Sequence, residues 1–171
     1  MPKSFCILCF LFFIPSTLVG QSAKPEDVVS IEAIITAVYA SISGDAGVAR
    51  DWERFRSLFT ESATLSPVIL NEEGNFERIV MTPESYIERS GRNLERNGFH
   101  EVEISRVTEE FGQIAHSFTT YESRRKTTDP EPFARGINSF QLMHDGDRWW
   151  IVSIYWQGEG ESNPIPAKYL N

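Results

Sequence analysis

The sequence predicts an α+β protein in which three N-terminal helices pack on one face of a strongly bent antiparallel sheet. In the first half of the chain, apolar residues recur at spacings of three and four, which is typical of amphipathic helices. From Phe99 onward the period changes to two, which is typical of strands, and Asp145-Gly146 is a strong hairpin signal. Helices that precede a run of antiparallel strands favour a two-layer α+β architecture.

Residues 1–20 have the pattern of a signal peptide. Lys3 precedes an apolar run from Phe5 to Ile14, and this run of about ten residues is shorter than the roughly twenty that a spanning helix needs. We expect cleavage after Gly20, a secreted or periplasmic location and no stable membrane anchor. The alternative is a buried N-terminal core helix, which the lack of a polar face disfavours.

Removal of this segment leaves a domain without thiols, because Cys6 and Cys9 both lie within residues 1–20. The domain is expected to span residues 21–159 and to be followed by an exposed C-terminal extension, residues 160–171. Its acidic composition disfavours nucleic acid and anionic lipid as partners, since the net charge of the whole chain is −8.

No cofactor or metal ion is expected. The chain has neither a glycine-rich phosphate loop nor a Gly-x-Ser-x-Gly elbow. The histidines His100, His116 and His144 are scattered, and no close spacing of metal ligands is present.

Three helices are predicted in the first hundred residues. The first runs from about Pro25 to Ser43 and carries one apolar stripe, and the second runs from about Ala49 to Phe59. The third ends near Gly98 and begins at Thr82-Pro83, because threonine is a good N-cap and proline suits the first helical position.

The remaining segments read as strands. A short strand is predicted over residues 63–70, and four consecutive antiparallel strands follow over about 99–111, 113–125, 133–144 and 149–157. The last strand is apolar in long stretches, which indicates burial on both faces: one face against the helices and the other against a loop or a partner subunit.

Several short motifs resemble those of the NTF2-like superfamily, and of its SnoaL-like members in particular. They are Gly44-Asp45 after a helix that bears Tyr39, Leu58-Phe59, Glu61-Ser62-Ala63-Thr64, and the closing hairpin from Gly136 to Ser153. The similarity covers roughly residues 27–159. It implies a cone-shaped pocket between a bent sheet and the helices, and it implies a homodimer. A fold does not by itself identify a function.

The resemblance also permits a test for ketosteroid isomerase chemistry, which needs a carboxylate base and two hydrogen-bond donors for the substrate oxygen. Tyr39 falls at the position of the family's tyrosine, and Asn138 falls near that of its protonated aspartate. The position of the base is occupied by Leu65-Ser66-Pro67, and Ser66 cannot serve as a carboxylate base. The sequence therefore disfavours this reaction.

His116 and Glu122 are the remaining weak candidates for a catalytic base. His116 lies in an alternating strand, so the sequence leaves open whether it faces a pocket or solvent. Glu122 and Arg135 flank a loop and are expected to face each other across two strands, where the simpler interpretation is a surface ion pair.

The pocket is expected to be lined by aromatic residues and one amide: Tyr39, Trp52, Phe55, Asn138, Phe140 and Trp156. Core packing is the simpler role for the aromatic members. We predict an exported protein that binds a small apolar molecule. The alternatives are a lyase or isomerase acting on a cyclic or polyketide-like substrate, and a dimerisation or accessory module whose pocket is filled by its own side chains.

Overall fold

The computed structural model describes residues 23–170, so the predicted signal peptide lies outside the described residues. The helices are α1 (Pro25–Val28), α2 (Ile31–Ile42), α3 (Trp52–Ser57) and α4 (Pro83–Asn97), with a 3-10 turn at Ala167–Tyr169. The strands are β1 (Phe59–Leu70), β2 (Phe76–Arg78), β3 (His100–Phe111), β4 (Ile114–Arg124), β5 (Ala134–His144) and β6 (Trp149–Gly158). Within the described part of the chain, no helix is long and apolar enough to span a membrane.

The six strands form one sheet in the order β2-β1-β6-β5-β4-β3. Strands β3 to β6 make the predicted antiparallel meander, and the α+β architecture is confirmed. The expectation of a purely antiparallel sheet needs one correction, because β1 runs parallel to β6. Parallel neighbours require a long connection, and here α4 and four strands intervene along the chain.

The first predicted helix is divided into α1 and α2. Ser30 lies at the break with an extended backbone, and its hydroxyl accepts a hydrogen bond from the Ala33 amide at 3.1 Å. A serine in this position satisfies an amide that the helix leaves unpaired, so a new helix begins there. The apolar stripe of residues 25–43 is continuous across the break, which explains why periodicity alone did not reveal it.

The start of α4 agrees with the prediction. The Thr82 hydroxyl accepts from the Ser85 amide at 3.1 Å and caps the helix. Helix α3 is shorter than predicted because Asp51 caps it, accepting from the Arg54 amide at 3.0 Å. The three-residue strand β2, which is short and fully exposed, was not predicted.

The helices of the described residues cover one face of the sheet, which we call the inner face. On β4 the inner residues Ala115, Ser117, Thr119, Tyr121 and Ser123 are all buried. They alternate with residues of the outer face, including His116 and Glu122. The core is formed between this inner face and α2, with Ile34, Ile35, Phe55, Phe140 and Ile151 at most 1 % exposed.

The C-terminal extension was expected to be exposed, but part of it packs on the outer face of the sheet. Ile165 is buried, and the ring of Tyr169 lies against Phe118 with centroids 5.1 Å apart. The Thr120 hydroxyl donates to the Tyr169 carbonyl at 2.6 Å. Burial of apolar side chains on an otherwise uncovered face explains why this Gly- and Pro-rich segment stays on the domain.

Candidate functional site

A cavity of about 480 Å³ lies between α2, α4 and the inner face of the sheet. Five of the six predicted pocket residues line it: Tyr39, Phe55, Asn138, Phe140 and Trp156. Trp52 lies outside its walls, where the indole packs edge-on against Phe55 and its Nε1 donates to Glu95 at 3.3 Å. Such a volume is large enough for a small organic molecule.

Tyr39 and Asn138 meet at the floor of the cavity although they are 99 positions apart in the chain. The Asn138 Nδ2 donates to the Tyr39 hydroxyl at 2.9 Å, and that hydroxyl shares a second hydrogen bond of 2.8 Å with Thr119 Oγ1. All three side chains are buried. Burial raises the pKa of the Tyr39 hydroxyl, so it stays neutral and available for hydrogen bonding.

Glu101 of β3 is the acidic residue that the sequence reasoning did not select for this cavity. Its carboxylate lies in the cavity wall and accepts a hydrogen bond of 2.9 Å from the Ser123 hydroxyl. Burial raises the pKa of Glu101 to about 7, although hydrogen bonds from Ser123 and Asn138 oppose the shift. A carboxyl group with this pKa exchanges its proton near neutral pH.

The alternation of residues on β3 explains why Glu101 was missed. Glu101 and Glu103 alternate with Val102 and Ile104, and the usual interpretation places the aliphatic residues inward. The structure has the opposite arrangement, with Val102 47 % exposed and its partner on β4 the outer residue Glu122. The available signal was the register with β4, because Glu101 pairs with the inner residue Ser123.

Two more tyrosines surround the carboxylate. Tyr86 of α4 and Tyr121 of β4 line the cavity, and burial followed by the charge of Glu101 raises the pKa of both hydroxyls. The ring of Tyr121 has room because its neighbour on β5 is Gly136, where any Cβ would overlap the tyrosine. Neither Tyr86 nor Tyr121 makes a side-chain hydrogen bond to another residue in the described part of the chain.

The structure does not bring His116 or Glu122 to the cavity. Both lie on the outer face, where His116 Nε2 is 2.9 Å from the Ser139 hydroxyl and Glu122 forms an ion pair with Arg124 at 2.8 Å. Glu122 does lie opposite Arg135 in the β4–β5 register, as expected, but the Arg135 guanidinium donates to Glu159. The two weak candidates for a base are therefore separated from Tyr39 by the sheet itself.

Ser66 occupies the position at which the resemblance would place a carboxylate base. Ser66 is buried and its hydroxyl has no partner among the described residues, while the neighbouring Leu65 lines the cavity. Glu101 thus approaches the cavity from a different strand. The mouth is bordered on α4 by Arg89, Ser90 and Asn93.

Comparison with known proteins identifies the fold but no relative close in sequence. No protein-family model matches the chain, and no curated protein matches it. A protein of unknown function with a cystatin-like fold from Nostoc punctiforme is similar in structure, with a TM-score of 0.57 and 10% identity over 82% of this chain and 97% of that one. An NTF2-like protein of unknown function from Pseudomonas putida has a TM-score of 0.57 and 9% identity over 80% and 90% of the two chains.

A putative calcium/calmodulin dependent protein kinase II association domain from Xanthomonas campestris is also similar, with a TM-score of 0.56 and 15% identity over 77% of this chain and 86% of that one. These likenesses establish that the chain has the NTF2-like, cystatin-like fold, as the resemblance in sequence implied. The narrower SnoaL-like assignment stays a prediction. At such low identity the function has to be argued from the site.

Proposed function

We propose that this protein binds a small, largely apolar molecule with one polar group in the cavity between α2, α4 and the inner face of the sheet. The observation that carries the proposal is the convergence of Glu101, Tyr39 and Asn138 in the lining of one cavity of about 480 Å³. Ligand sites characteristically combine apolar walls with a few polar groups that orient the ligand.

The alternative of a domain filled by its own side chains is less well supported. Phe55, Phe140 and Trp156 are large enough to fill such a pocket, but they stand in the walls of an open one. Their ring contacts run along the wall, as in the stacking of Tyr86 on Phe55 with centroids 5.5 Å apart. This arrangement leaves room for a guest molecule.

Ligand binding can be tested by filling the cavity. Ser90 lines the mouth on α4, whereas Glu88 on the same helix is exposed and lies outside the walls. We expect Ser90→Trp to weaken binding of 2-naphthylmethanol at least tenfold by calorimetry, and Glu88→Trp to leave it unchanged. Equal affinities in the two variants, both folded by circular dichroism, would contradict the proposed site.

Acid–base catalysis on a cyclic substrate is a second candidate, favoured by Glu101 with its pKa of about 7. In this case the Glu101 carboxylate accepts a proton from the substrate carbon beside the carbonyl group. The carbonyl oxygen becomes the oxygen of an enolate and accepts a hydrogen bond from the site. The test is deuterium exchange into 2-tetralone in heavy water. We expect exchange with the wild type and its loss in Glu101→Gln, and a rate equal to that of buffer would eliminate this function.

We also propose that the protein forms a homodimer through the outer face of the sheet. Val102, Val107 and Tyr155 are 44–47 % exposed on that face although the C-terminal segment packs on part of it. One protein of similar structure is described as an association domain, which makes assembly a reasonable expectation. A mass near that of the monomer by light scattering at micromolar concentration would contradict it. Val107→Glu should dissociate a dimer.

Export is proposed on the sequence pattern of residues 1–20. Expression of the full chain in a bacterial host should place the protein in the periplasmic fraction, and mass spectrometry should find an N-terminus at Gln21. Retention of Met1 in the recovered protein would contradict the proposal.

A further inference from the structure

Glu101 has hydrogen bonds but no ion-pair partner among residues 23–170. Its hydrogen-bond partners, Ser123 and Asn138, are both neutral. Among the described residues, no lysine, arginine or histidine forms an ion pair with this carboxylate, and Arg89, the basic residue in the cavity wall, is exposed on α4. Glu101 is half-buried, and a carboxylate that is partly withdrawn from water without a counter-charge is costly, so a ligand can supply the missing charge.

The cavity walls suit a cation as well. Eight of the residues that line the cavity with Glu101 are aromatic, and the set includes Tyr39, Phe55, Tyr86, Phe99, Tyr121 and Phe140. Aromatic faces attract ammonium groups, more strongly where water is excluded. A protonated primary amine also has three N–H donors, and the hydroxyl oxygens of Tyr86 and Tyr121 can accept those that Glu101 does not.

We propose that the natural ligand is an apolar amine, whose ammonium group pairs with the Glu101 carboxylate while its hydrocarbon part fills the aromatic cavity. This inference rests on the proposed binding function and names its ligand class. An alcohol of the same shape makes a hydrogen bond but supplies no charge. A carboxylate of the same shape meets Glu101 as a like charge.

The proposal fixes the sign of the pH dependence. The titratable groups that face Glu101 are Tyr39 of α2, Tyr86 of α4 and Tyr121 of β4, with Glu103 on its own strand. The tyrosines stay neutral because burial raises the pKa of each hydroxyl. A carboxyl group of pKa about 7 goes from roughly one-tenth to nine-tenths ionised between pH 6 and 8. Amine binding should therefore strengthen about tenfold over this range.

The experiment uses three probes of one shape: 2-naphthylmethylamine, 2-naphthylmethanol and 2-naphthoate. Calorimetry on the full protein at pH 6 and 8 should show that the amine binds at least tenfold more tightly than the alcohol at pH 8. Only the amine should gain affinity as the pH rises. Glu101→Gln should remove both the preference for the amine and its pH dependence, and it should still bind the alcohol. Glu103→Gln, which loses a carboxylate already paired with Arg106, should keep the preference and the pH dependence.

The possible failures can be told apart. If the wild type binds the alcohol or the naphthoate as tightly as the amine, the amine proposal is overturned and the binding function stands. If none of the three probes binds, the binding function fails and the amine proposal fails with it. If Glu101→Gln does not fold, the pH profile and the amine-to-alcohol ratio of the wild type still decide the question.

Discussion

The two faces of the sheet are built from the same strands, but they have opposite characters. The inner face carries polar groups that are paired beneath the helices, as in the Asn138–Tyr39 and Ser123–Glu101 hydrogen bonds. The outer face carries exposed aliphatic and aromatic side chains, including Val107. Polarity alone is therefore a poor guide to which face is covered.

The difference follows from what covers each face. Helices cover the inner face incompletely and leave a cavity, in which a carboxylate can remain when it accepts hydrogen bonds. Within residues 23–170, the outer face is covered by the C-terminal segment, anchored by Ile165 and Tyr169. The inner face is thus suited to a small ligand, and the outer face is suited to contact with another surface.

The largest effect should come from a matched pair of phenylalanines. Phe140 is 1 % exposed on the inner face and Phe111 is 83 % exposed at the end of β3. We expect Phe140→Ala to lower the free energy of unfolding by about 3–5 kcal/mol, and Phe111→Ala by less than about 0.5 kcal/mol. Urea denaturation measures both, and similar losses would show that the helices do not define the buried face.

The next effect is a gain in stability with a defined pH dependence. The folded pKa of Glu101 is raised to about 7 from 4.5, so the folded state resists ionisation and stability falls as the pH rises from about 4.5 to above 7. Glu101→Gln should therefore raise the free energy of unfolding by about 2–3 kcal/mol at pH 8 and change it little at pH 4.

Glu103→Gln is the control for this measurement, because Glu103 lies on the same strand and is paired with Arg106. It should not remove the fall in stability of the wild type between pH 5 and 8. If Glu101→Gln retains that fall in a denaturation series, Glu101 ionises freely and is not the group responsible.

A smaller loss is expected where the inner hydrogen-bond network is broken. Asn138→Ala removes the donor to the Tyr39 hydroxyl and should cost about 1–3 kcal/mol. Gln141 is an exposed amide on the outer face of the same strand, and Gln141→Ala should change stability by less than about 0.5 kcal/mol. Thermal unfolding measures the stability of both variants. If Asn138→Ala is as stable as the wild type, the hydrogen-bond network is not needed for folding.

The smallest effect concerns the covering of the outer face. Ile165→Ala should release the C-terminal segment with a loss of about 1 kcal/mol or less, because the domain beneath keeps its own core. Limited proteolysis should cut the segment several-fold faster than in the wild type. Leu170→Ala, at a more exposed position of the same segment, should not change the rate. Equal rates in both variants would show that Ile165 does not hold the segment.

Local signals predicted a large part of the fold. Thr82 marks the start of α4, and Gly146, with a φ of 111°, lies in the predicted hairpin between β5 and β6. The break at Ser30 was not predicted because one apolar stripe runs through α1 and α2. Two residues of the site, Tyr39 and Asn138, were identified through the resemblance. In the structure the Asn138 Nδ2 lies 2.9 Å from the Tyr39 hydroxyl.

Apart from β2 and the break at Ser30, the sequence by itself determined the order of helices and strands, the main hairpin turn, and the aromatic residues available for a pocket, because these depend on neighbours within a few positions. Only the tertiary structure decided that β1 joins β6 in parallel and that β4 directs Tyr121 inward and His116 outward. It also decided that Glu101 faces the cavity and Val102 faces out. A period of two defines two faces of a strand, but the packing of distant elements determines which face is covered.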